Sequence, residues 1–151
     1  LTAWLLVGLT CLLVVGAAFW LIHTFYGRTI VRLGDGIFTA QIAQTDKERI
    51  KGLSGSVQLS DSQAMLFVFD GDGEHPIWMK DMHYAIDIVW LDADKKVVHM
   101  AHDIPPQSYP EKFKSNVPAR YVIEFRAGTL DAKRITIGKQ ATFTLPAERG
   151  K

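Results

Sequence analysis

The chain has 151 residues, with 17 basic and 16 acidic side chains and a formal net charge of +1 at pH 7. So even a balance lacks the positive excess that polyanions select for and excludes nucleic acid as a partner. The single cysteine, Cys11, belongs to an apolar N-terminal stretch, so disulfide and thiol chemistry are excluded from the remaining residues.

Residues 1–27, LTAWLLVGLTCLLVVGAAFWLIHTFYG, contain no Asp, Glu, Lys or Arg. An uncharged apolar run longer than about 18 residues predicts a spanning helix. From Trp4 to Tyr26 such a helix would cover roughly 33 Å, close to the hydrocarbon thickness of a bilayer. Trp4, Trp20 and Tyr26 are placed for the headgroup level at either end. The run is too long for a signal peptide and lacks a basic start and a small-residue cleavage site. Gly8, Thr10 and Gly16-Ala17-Ala18 would let a neighbouring helix approach closely. His23, near the end of the span, is a weak candidate for ligating a haem or pigment of a neighbouring complex. Arg28 and Arg32 follow the span, which by the positive-inside tendency favours a cytoplasmic domain.

Residues 28–36 form a juxtamembrane segment, and the alternation of Ile30, Val31 and Leu33 begins a strand. Gly34-Asp35-Gly36 is a hairpin signal, and residues 37–43 alternate as the partner strand. Thr45 followed by Glu48 three residues later predicts a capped short helix that ends near Gly52 or Gly55. Apolar runs at 64–69, 77–79 and 86–91 predict buried strands, the first two separated by the Asp70–Gly73 turn. Residues 92–96 form a hairpin loop, and 97–101 return as a strand. Residues 105–118 are too rich in proline for a strand. Residues 121–125 and 141–145 are further strands, with a helical turn between 128 and 135. Short strands at even spacing argue for a small antiparallel β-barrel or sandwich with one or two short helices, preceded by a single transmembrane helix.

The segments KGLSG (51–55), AMLFVF (64–69), IWMKDM (77–82), AIDIVWLDAD (85–94), IPP (104–106) and ARYVIEFRAG (119–128) occur in one order at short spacings. Together they resemble the bacterial and archaeal family called domain of unknown function 192, over about residues 37–145. The resemblance implies a small, mostly β domain, commonly preceded by a signal or anchor segment. It therefore implies an extracytoplasmic side for the domain, against the charge pattern. It implies no activity. Two positions depart from the family pattern, with Ser54 where Met is usual and Ala64 where Gly is usual.

The polar residues that interrupt apolar strands are the candidates for chemistry. Asp87, within Ile86-Asp87-Ile88, points opposite to its neighbours and needs a partner if that face is buried. Lys80 and Arg120 are potential partners, as are loop amides. Trp78, Lys80, Asp81, Asp87, Arg120 and Glu124 form a candidate ligand-binding set with Trp78 as a wall. Arg120 and Glu124 share a face of one strand, where they could complete the pocket or pair with each other. His99 and His102 would fall on opposite faces of a strand, a poor chelate, and His75, Asp81 and His83 add only loop ligands. No metal site, cofactor or catalytic residue is assigned. Gly52-Leu53-Ser54-Gly55 lacks the spacing of a nucleophile elbow.

The organisation expected is therefore an anchor (1–27), a juxtamembrane segment (28–36) and a β domain (37–147). The function expected is a non-enzymatic binding or scaffolding protein of the inner membrane, with a periplasmic domain. Its partners would be the lipid bilayer and other subunits of a larger bacterial membrane complex, such as a respiratory or photosynthetic one. The alternative is an extracytoplasmic small-molecule or glycan-binding domain, or a weak hydrolase, with a pocket around Trp78 and Asp87.

Overall fold

The hairpin read from the sequence forms as β1 (Arg28–Leu33) and β2 (Gly36–Ala43), paired antiparallel from Arg28–Gln41 to Leu33–Gly36. The structure is a computed structural model that describes residues 27–146. Val31, Leu33, Phe38 and Ala40 face the core, while Arg32, Ile37 and Thr39 face out, as a period of two demands. Gly34 makes the turn at φ +56°, and no room exists there for a Cβ beside the Lys133 carbonyl.

The capped helix is α1 (Asp46–Lys51). The Thr45 hydroxyl accepts the Glu48 N–H at 3.3 Å, and Glu48 Oε2 accepts the Thr45 N–H at 3.0 Å. The helix stops at Gly52, whose φ of +46° suits glycine. β3 (Gln63–Gly73) follows and lies parallel to β2, with Ala40 beside Ala64 and Ala43 beside Phe67. Then come β4 (Ile77–Trp78), β5 (Ile86–Leu91), β6 (Val97–Ile104), a 3-10 turn at Pro106–Ser108, β7 (Lys112–Phe113), β8 (Ala119–Arg126) and α2 (Thr129–Ala132).

Six strands form one sheet in the order β1-β2-β3-β8-β5-β6, and β4 pairs with β7 as a separate ribbon. The fold is thus mainly β, and two expectations need correction. The sheet is mixed rather than antiparallel, because the segment from β2 through α1 to β3 is a crossover long enough to bring the chain back in the same direction. No closed barrel forms among the described residues. The expected strand at 141–145 contributes only isolated bridges, Thr142 to Arg32 on one sheet edge and its neighbour Gln140 to Lys96 on the other. These tie the two edges at one end without a continuous ladder. A further strand, β7, lies inside the proline-rich loop, where it needs only two residues of pairing.

Both faces of the sheet are covered, so all six residues of β5 are buried. One face carries Val31, Phe38, Leu66, Ile123 and Phe125 under Leu130, Ile135 and Phe143. The other carries Met65, Phe67, Ile88, Trp90 and Val122 under Leu53, Ile77, Met79 and Tyr84. No helix among the described residues is long and apolar enough to cross a membrane. The expected anchor, apart from Gly27, lies outside the described residues.

Candidate functional site

Two carboxylates are buried in the sheet, on neighbouring strands. Asp87 of β5 is 1% exposed and stands opposite Phe125, on the face of Val89 and Leu91. Its Oδ1 accepts the Asp103 N–H at 2.8 Å and its Oδ2 accepts the Leu130 N–H at 2.9 Å. Each oxygen thus has a backbone donor, which ties β6 and the start of α2 to the sheet. Neither Lys80 nor Arg120 is its partner.

Glu124 of β8 is 4% exposed and sits in register between Met65 of β3 and Ile88 of β5, on the other face. Its Oε2 is buried with no hydrogen-bond partner among the described residues. Burial holds its carboxyl protonated up to about 8, against an ordinary 4.5. Charge is expensive there because burial strips the carboxylate of solvent and no donor among the described residues reaches Oε2.

Glu124 lines a cavity of about 50 Å³, room for a very small polar group or a few waters. Leu53, Phe67, Ile77 and Met82 supply apolar walls, Arg49 and Lys51 stand at α1, and Trp78 forms a lip. Trp78 is 40% exposed, meets Tyr109 edge-on at 6.2 Å and carries the Lys112 ammonium 5.6 Å over its ring. The Arg49 guanidinium is occupied, donating to the carbonyls of Gln44 and Val68 and to Asp46 Oδ1. Tyr84 lies close enough to feel Glu124. Burial pushes its phenol up, the 2.7 Å bond to Ser56 pulls it back, and the Glu124 charge adds to the rise.

Of the six candidates named from sequence, the structure brings Trp78 and Glu124 together at this cavity. Asp87 is across the sheet from them. Lys80 and Asp81 lie in the turn after β4 with exposed side chains. Their carbonyls accept from the Ser54 hydroxyl and the Gly55 N–H, both at 2.8 Å, so they fasten the 52–55 loop through backbone. Arg120 donates from Nε to Asp72 Oδ1 at 2.6 Å and does not pair with Glu124. His99 packs edge-on against Trp90, and His75 stacks on Phe69. No three metal-ligating side chains gather among the described residues. Trp4, Trp20, His23 and Tyr26 lie outside the described residues.

Arg49, Leu53, Phe67, Ile77 and Met82 went unassigned by sequence reasoning because each reads as core or as a helix-face charge. A signal for most of them existed. Four of the six segments that carry the family resemblance, at 51–55, 64–69, 77–82 and 119–128, send residues into this one cavity.

Residues 29–143 match the profile of domain of unknown function 192, DUF192, described as "Uncharacterized ACR". No curated protein matches the chain. Among solved structures, a Sinorhizobium meliloti 1021 protein described as a candidate transcription regulator superposes with a TM-score of 0.70 at 24% identity. That match covers 77% of this chain and 92% of the other. A Novosphingobium aromaticivorans DSM 12444 protein of unknown function superposes with a TM-score of 0.69, also at 24% identity, over 76% of this chain and 83% of its own. Both likenesses are of fold.

Proposed function

The chain belongs to the DUF192 family, and from that premise we propose that it is a membrane-tethered, non-enzymatic binding module. Its pocket is closed at the base by Glu124 and at the lip by Trp78. The observation that carries this reading is Glu124 itself, which lines the cavity and has a buried oxygen with no partner among the described residues. An orphaned buried acceptor costs about 1–3 kcal/mol, a cost that a bound ligand supplying a donor would remove. Near neutral pH the carboxyl is protonated and offers one O–H donor and one carbonyl acceptor side by side. A carboxamide presents the reciprocal pair, so an amide tip on a small ligand or on a partner's side chain is the group that fits.

Binding suits the pocket better than turnover. Acid–base catalysis needs two titratable groups with separated roles, and Glu124 is the one acid among the described residues lining the cavity. The tether reading rests on the charge-free sequence of residues 1–27. An extracytoplasmic position and membership of a larger membrane assembly belong to the same proposal.

The test is NMR titration of the full chain in detergent micelles with acetamide, using methylammonium as the comparison. Acetamide is expected to shift amides at 51–54, 77–82 and 124, and Glu124→Leu should abolish those shifts while the spectrum stays folded. Shifts that survive in Glu124→Leu, or none in the native chain, would overturn the pocket. Mild-detergent purification then separates the sources. A stoichiometric subunit lost on Trp78→Ala marks a protein partner, and a lone chain marks a small ligand.

A further inference from the structure

A second concavity lies on the other side of α1, where the described chain begins. Gly27, the last residue of the charge-free stretch, lines a groove of about 470 Å³ together with Gln41, Thr45, Lys47 and Lys51. Its carbonyl accepts the Ile42 N–H at 2.7 Å, which fixes the start of β1 against the groove wall. Lys47 and Lys51 are one helical turn apart on an exposed face. Arg28 is exposed at the adjoining residue. The one acid among the lining residues, Glu48, already accepts the Gln44 and Thr45 amides with Oε2, at 2.9 and 3.0 Å.

We propose that this groove seats the headgroup of an anionic phospholipid from the leaflet beside Gly27, an inference that rests on the membrane tether. The argument is one of reach and charge. A strand advances about 3.3 Å per residue, so no linker separates an apolar span ending at Tyr26 from the groove. The groove is held at headgroup depth, where its lysines meet phosphate oxygens and Gln41 and Thr45 meet glycerol or phosphate. Each lysine near an anionic surface adds roughly fivefold in association.

The experiment places the full chain in nanodiscs of phosphatidylcholine alone or with one quarter phosphatidylglycerol. Lipid retained through mild-detergent release is counted by native mass spectrometry. Phosphatidylglycerol is expected to be retained about tenfold or more over phosphatidylcholine, by the two lysine contributions together. The double variant Lys47→Gln/Lys51→Gln should lose that preference with an unchanged melting temperature, whereas Lys139→Gln should keep it. Equal retention of the two lipids, or a preference that survives in the double variant, overturns the headgroup site while leaving the tether standing. A chain that does not stay with nanodiscs of either composition overturns both.

Discussion

Asp87 and Glu124 occupy neighbouring strands of one sheet, are both carboxylates and are both buried, yet their surroundings are opposite. Asp87 has a backbone N–H on each oxygen. Glu124 has an oxygen with none and lines a cavity. The first arrangement is a strut, in which both oxygens of a buried acid are matched by backbone donors. The second would be a defect if the cavity stayed empty. Burial alone is therefore a poor indicator of function in this fold, and the state of the hydrogen bonds around a buried acid is the better one.

The contrast breaks most visibly with pH. Glu124 titrates near 8 in the folded chain and near 4.5 unfolded, so the folded state holds its proton more tightly. Stability from this group is full below about 4.5, falls between 4.5 and 8, and is lost above 8, a swing on the order of 5 kcal/mol. Urea denaturation from pH 5 to 9 should show that decline in the native chain and a flatter profile in Glu124→Gln. A native profile as flat as that of the variant would place water or a cation on Glu124. Next in size is Asp87→Ala, which strands the part-buried Asp103 amide and the buried Leu130 amide and should cost about 3 kcal/mol at neutral pH. It should also raise hydrogen exchange at Asp103 and Leu130. A loss under about 1 kcal/mol would mean that Asp87 is no strut. Smallest is Lys80→Ala, whose side chain is exposed and whose loop contacts run through backbone. Its melting curve should shift by no more than about 0.5 kcal/mol in stability, and acetamide binding should persist. Loss of binding in that variant would return Lys80 to the pocket.

Much of the fold was legible along the chain. The β1–β2 hairpin followed from its Gly-Asp-Gly turn, and α1 from the reciprocal bonds that Thr45 and Glu48 offer. These signals are local, set by turn conformation and capping chemistry within a few residues. The parallel pairing of β2 with β3 was not legible, because alternation marks a strand without naming its neighbour. β7 was hidden by surrounding prolines that exclude a long strand but not a two-residue one. At the site, Trp78 and Glu124 stood out as polar or amphipathic residues in apolar runs. Leu53, Phe67 and Met82 carry no such mark, since an apolar wall of a cavity and an apolar wall of a core have the same composition.

The sequence by itself determined most of the elements, the burial of the central strands and the family, because each depends on local pattern or on an ordered set of segments. It also identified Asp87 and Glu124 as residues needing an explanation. Only the tertiary structure decided which was the strut and which the open acceptor. Strand register puts them on opposite faces, β6 and α2 bring amides from 16 and 43 residues away to one face, and α1 leaves a gap over the other. Hydrogen-bond satisfaction depends on groups distant in the chain, so it appears only when the chain is folded.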